Sequence, residues 1–167
     1  MNWLERLWPR SSPRSSTTTK RIVCLANSRK MGGRCVAGKE LLADGRMGGW
    51  IRPVSDREHE EVSAYEQQLE GGSEPHALDV IDVPILRARP KGYQQENWLL
   101  DPTRRWSKVD RLEWSDPSEW ADAVETLWTN GYSSSSGLND RVPEDLATSL
   151  DRSLYLIGVD GLQVHIS

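Results

Sequence analysis

Gly48-Gly49-Trp50-Ile51-Arg52-Pro53-Val54-Ser55 is the stretch on which the fold reading turns. Its two glycines let the backbone turn or approach another strand closely. Trp50 and Arg52 follow two residues apart, which puts both on one face of a pleated strand. Pro53 cannot donate to a sheet ladder, and with Ser55 it ends the run. An indole and a guanidinium side by side suit the stacking of a base and the holding of a phosphate. The plainer reading makes Trp50 a core residue and Arg52 a surface one, because large aromatics mostly serve cores.

Working outward, Lys20-Arg21-Ile22-Val23-Cys24-Leu25-Ala26 is an apolar, β-branched run that reads as a strand. Asn27 to Gly33 reads as a donor-rich turn, and Arg34 to Leu42 as a second strand with a bulge at Gly38. Three strands joined by tight loops have the rhythm of an antiparallel meander or a small barrel. Leu78 to Leu86 is a further strand, whose Pro84 predicts an edge position or a bulge. Asp79 and Asp82 fall on opposite faces of it, which suits a cap and a surface residue better than a metal pair.

Ser63-Ala64-Tyr65-Glu66 has capping-box spacing, so a helix of about two turns is expected before Gly71-Gly72. Asp116-Pro117-Ser118-Glu119 predicts a helix start, running to about Leu127 or Trp128. Trp120, Val124, Leu127 and Trp128 recur in it at helical spacing, a core pattern. Another short helix follows Leu138–Pro143, and Ser153–Val159 and Leu162–Ile166 read as a hairpin around Asp160-Gly161. The fold class is therefore mainly β with short helices, a β-rich α+β chain.

The 167 residues suit one compact domain with a real core, or two very small ones. Eight Trp and four Tyr stand against no Phe, so some indoles are free to serve recognition. The net charge of −4 hides an asymmetry, since Arg6, Arg10, Arg14, Lys20 and Arg21 face Glu5 alone in residues 1–21. The remaining acidic body excludes a non-specific duplex binder, whose affinity comes from phosphate neutralisation. Within 20–52, however, Lys20, Arg21, Arg29, Lys30, Arg34, Lys39, Arg46 and Arg52 outnumber Glu40 and Asp44. The local sign suits an anion although the global one does not.

Residues 1–19 read as a disordered basic arm: Trp3, Leu4, Leu7 and Trp8 form a short apolar face that Pro9 stops, and a Ser/Thr/Pro/Arg linker follows. Cys24 and Cys35 lack a Cys or His cluster, so no zinc or other metal site is expected, and no cofactor. No apolar run reaches bilayer length and no secretory signal is present, which makes a reducing cytoplasm the expected compartment. His59, His76 and His165 have no triad or metal spacing, no Walker loop occurs, and Gly32-Gly33 and Gly48-Gly49 lack the context of a phosphate cradle. The expectation is a binding module rather than an enzyme.

The runs Arg21–Lys30, Gly33–Glu40, Gly49–Ser55, Leu78–Ile81, Glu96–Asp101 and Asn139–Val142 together resemble the bacterial dual OB-containing domain family over residues 20 to about 160. The resemblance implies two OB-type barrels in tandem: a first over 20–90, then a helix-containing connection and a partial second over 91–167, with its last strands missing. It also implies recognition of single-stranded nucleic acid or a nucleotide-derived ligand, in bacterial conflict or defence systems. No catalytic residues carry over. The candidate ligand contacts are Asn27, Ser28, Arg29, Lys30, Arg34, Lys39, Trp50, Arg52, Asn97, Trp98, Asn139 and Arg141. The alternative is a protein-interaction module or truncated scaffold, whose open sheet a partner chain completes.

Overall fold

The computed structural model describes residues 16–113, 117–124, 131–135, 137, 141–159 and 161. Among them six strands form: β1 (Thr18–Lys30), β2 (Gly33–Leu41), β3 (Met47–Val54), β4 (Asp79–Ala88), β5 (Asn97–Leu100) and β6 (Ser107–Arg111). The first three make the expected antiparallel meander. β3 then pairs with β5 in parallel, β5 with β4 antiparallel, and β4 returns to β1. The result is a closed five-stranded barrel in the order β1-β2-β3-β5-β4, the Greek-key arrangement of an OB barrel.

The β1–β2 hairpin is longer than its sequence suggests. Its strands run through Asn27–Lys30, where a turn was expected, to a two-residue loop of Met31 (φ 46°) and Gly32 (φ 86°). Positive φ at both positions matches the right-handed twist of the flanking strands. The bulge expected at Gly38 lies across from it: Cys24 pairs with Gly38 and Ala26 with Ala37, leaving Leu25 as the extra residue. A Cβ on Gly38 would stand 2.1 Å from the Val23 carbonyl oxygen, so only glycine permits that approach.

Ile22, Cys24, Val36, Ile51, Ile81, Val83, Ile85 and Leu100 alternate into the barrel, and Val62, Leu69 and Trp106 complete its core from the connecting loops. Cys24 is sealed there, and burial, with the nearby charge of Asp79 second, pushes its thiol up to about 12. A thiol buried in apolar surroundings has the environment of a structural cysteine. Pro84 is not on an edge strand, because β4 lies between β1 on one side and β5 and β6 on the other. Its carbonyl accepts from Asp101 N–H at 2.9 Å, in the gap where the chain leaves β5 and has not yet begun β6. A proline fits that gap because no ladder bond is asked of its nitrogen.

Asp79 and Asp82 separate as expected. Asp79 is buried, accepts the His76 N–H at 2.9 Å, and pairs with Lys108 (2.6 Å) and Arg111 (2.9 Å). Asp82 makes a two-point pair with Arg21 on the surface. Thr18 and Thr19, assigned above to the arm, belong to β1, and the Thr17 hydroxyl donates to Asp101 at 2.7 Å.

The helical expectations fare worse. Ser63 and Glu66 make both bonds of the capping box, yet residues 64–67 form only a turn. Pro117–Trp120 is a 3-10 turn and residues 121–124 are not helical; 125–130 lie outside the described residues. Helix α1 (Glu144–Ala147) follows Pro143 as expected. Ser153–Val159 forms no strand, and Asp160 and Leu162–Ile166 of the expected hairpin lie outside the described residues. No helix among the described residues is long and apolar enough to cross a membrane.

Candidate functional site

Ile51 faces the core, so Trp50 and Arg52 point outward from β3. Lys39 of β2 stands opposite Trp50, and Asn97 of β5 opposite Arg52. Four of the sequence-derived candidates thus meet on the outer face of β2, β3 and β5. On OB barrels the ligand face centres on β2 and β3 and their flanking loops.

In this chain that face is covered. Lys39, 6% exposed, donates from its ammonium to the Trp120 carbonyl at 2.6 Å and to Asp122 Oδ1 at 2.8 Å. The Trp50 indole N–H donates to Asp122 Oδ2 at 3.0 Å, and the Leu156 N–H to the same oxygen at 2.8 Å. The Asp122 N–H in turn donates to the Leu156 carbonyl at 2.7 Å. Arg152 Nη1 lies 3.6 Å from Asp122 Oδ1. Burial alone would raise the Asp122 carboxyl, but Lys39, the Leu156 N–H and the Trp50 N–H outweigh it and hold the group below its ordinary value. One carboxylate therefore ties β2, β3 and the 150–159 segment together.

Arg52 is held from within. Its Nε donates to Asn97 Oδ1 at 2.7 Å, its Nη2 lies 3.2 Å from Glu96 Oε1, and its N–H donates to the Glu96 carbonyl at 2.8 Å. The Ser153 hydroxyl donates to the same Glu96 Oε1. Glu96 Oε2 is buried and finds no hydrogen-bond donor among the described residues. The plainer opening reading of the pair does not hold: Trp50 is outward and half-buried, and Arg52, 9% exposed, is the more buried of the two.

The other candidates divide into separate groups. Trp98 packs against the core, with the Lys20 ammonium 4.6 Å from its ring centre and 2.8 Å from Glu40 Oε1. Asn27, Ser28, Arg29, Lys30 and Arg34 lie along the β1–β2 hairpin; Asn27 Nδ2 donates to the Pro75 carbonyl and Arg34 Nη2 to Glu74. Arg141 lies beside α1, while Asn139 falls outside the described residues.

Two adjoining hollows open beside the covered face. One, of about 420 Å³, runs from Lys30 and Met31 at the hairpin tip to His59 and the β4–β5 loop, Lys91–Gln94. The other, of about 560 Å³, is lined by Tyr93, Arg141, Leu150, Arg152, Ser153 and Tyr155. Tyr93 and Glu144 line both and join them into one groove. Arg152 stacks over Tyr155 at 5.2 Å. Glu58 and Glu60 lie in the first hollow, where Glu60 Oε2 is 3.4 Å from Lys91. The sequence reading missed Tyr93, Asp122, Arg152 and Tyr155, since none sits in a motif and each acquires its meaning from a distant strand.

Among the described residues no group of three or more His, Cys, Asp or Glu is placed to hold a metal. No curated protein and no solved structure matches the chain. The family model of the dual OB-containing domain does match, over residues 20–167. With the closed barrel of OB strand order already in hand, that match over most of its length places the chain in the dual OB-containing domain family.

Proposed function

We propose that this barrel is a non-catalytic module that binds a short single-stranded nucleic acid or a nucleotide-derived ligand. The observation that carries the reading is the gathering of aromatic and cationic side chains on one side of an OB barrel. Lys39, Trp50 and Arg52 lie on the β2–β3 face, and Tyr93, Arg152 and Tyr155 line the groove beside it. Bases stack on aromatic faces at about 1–3 kcal/mol each, and cations hold the backbone. Glu58, Glu60 and Glu144 in the same groove oppose a long polyanion, which favours a ligand with few phosphates. The setting we infer is a bacterial conflict or defence system in the cytoplasm.

The test is tryptophan and tyrosine fluorescence during titration with short single-stranded oligonucleotides at low and at physiological salt. With two phosphates engaged, binding weakens about five- to tenfold between 50 and 200 mM salt. Tyr93→Ala weakens it further at either salt. A flat titration at both salts would remove nucleic acid from the reading.

A second reading has its own observation. β6 is the edge strand of the sheet and carries Val109, 47% exposed. An added strand from a protein partner would cover that edge. A charged residue at Val109 would abolish such pairing and leave oligonucleotide binding untouched.

A further inference from the structure

We propose that the outer face of β2 and β3 holds a latent anion site, built by the Lys39 ammonium and the Trp50 indole N–H, which the chain's own Asp122 carboxylate fills until a phosphate-bearing ligand displaces it. The chemistry of the contacts is that of an anion cradle. A full positive charge and a ring N–H converge from neighbouring strands on the two oxygens of one carboxylate, at 2.8 and 3.0 Å. A phosphate offers the same oxygens with more charge, and charge-assisted bonds of this kind are the strong ones. Asp122 thus stands where a ligand phosphate would stand.

The attachment is also of a kind that yields. Asp122 bonds to the barrel through Lys39 and Trp50, and to its own segment through the Leu156 N–H and Arg152. When the cover lifts, the second pair travels with Asp122 and keeps it satisfied, so the barrel face alone loses its anion. No described residue after Trp106 belongs to the apolar core cluster. From residue 117 onward only Ala147 among the described residues is buried. Little apolar area opposes the displacement, and the open groove at Arg152 and Tyr155 gives the incoming ligand a first foothold next to the cover.

The inference rests on the proposed function for the identity of the ligand only. Inorganic phosphate and a thymidine octanucleotide are titrated into wild type, Asp122→Asn, and Asp122→Asn with Lys39→Ala, at constant ionic strength set with chloride. Asp122→Asn binds both probes at least tenfold more tightly than wild type, and the added Lys39→Ala removes the gain. Equal affinity of wild type and Asp122→Asn, or a gain that survives the loss of Lys39, would overturn the proposal. Phosphate binding with that pattern and no oligonucleotide binding would retain the site and sink the nucleic-acid reading. Because a variant can fail to fold, wild type supplies a second arm. Phosphate, against chloride, raises hydrogen exchange in 117–124 and leaves β1–β5 unchanged; no rise would overturn displacement.

Discussion

The barrel and the segment that covers it are held by different forces. β1–β5 enclose a continuous apolar core, closed by ladders on every side. The described parts of 117–159 lie on the barrel mainly through polar contacts at Lys39, Trp50 and Glu96. Apolar burial offers a dissolved anion no group to bind, whereas a carboxylate–ammonium contact competes with every other anion. The fold therefore separates a part that must stay shut from a part that can be exchanged.

The comparison breaks most completely if the core is opened. Trp106→Ala removes the largest fully buried side chain and costs about 3–5 kcal/mol. Urea denaturation then shows barrel and cover lost together, since the cover has nothing else to lie on. Arg52→Ala comes next, at about 3 kcal/mol, because it leaves the Glu96 carboxylate buried without its cation. This residue serves both regions, as Glu96 also holds Ser153. Arg52→Ala combined with Trp50→Ala accordingly lowers Tm, contrary to what an exposed ligand contact would do.

Acid sharpens the comparison further. The folded-state value of Asp122 is depressed, so its contribution is complete above the unfolded value of about 4 and is lost as pH falls through the lower folded one. Asp79 and Asp101, in which burial is likewise outweighed by bonding, are depressed as well, so acid weakens the barrel too. The discriminating quantity is the difference between wild type and Asp122→Asn in protease cleavage within 117–124. It is large at pH 7, begins to shrink below about pH 4 and vanishes only below the depressed folded value. The smallest effect is at the hairpin tip. Met31→Asn relieves a left-handed backbone at an exposed methionine and raises stability by about 1 kcal/mol in urea denaturation, with the cover unaffected.

The two regions also differed in how far the sequence disclosed them. β-branched runs at Ile22–Cys24 and Val80–Ile85, and the glycines that bound them, marked four strands and the meander directly. β5 and β6 escaped because both are short and Ser107–Arg111 is polar; β5 becomes a strand by lying between β3 and β4, and β6 by lying along β4. The capping box at Ser63 was legible as chemistry but not as a helix: its bonds form, while Val62 and Leu69 on either side are drawn into the barrel core. The spacing of Trp120 and Val124 predicted a helix, but the backbone there is committed elsewhere. Trp120 gives its carbonyl to Lys39, and Asp122 bonds in both directions with Leu156. Lys39, Trp50, Arg52 and Asn97 were found as a set because strand alternation is local. Their occupant was not, since Asp122 lies 72 residues from Trp50 and carries no motif.

Hydrogen exchange followed by mass spectrometry on wild type and Asp122→Ala at pH 7 tests the division between barrel and cover most directly. The account predicts protection lost in 117–124 and 150–157, with β1–β5 protected as in wild type. Protection lost evenly over barrel and cover, or retained in both, would show that Asp122 does not hold a separable cover and would contradict it.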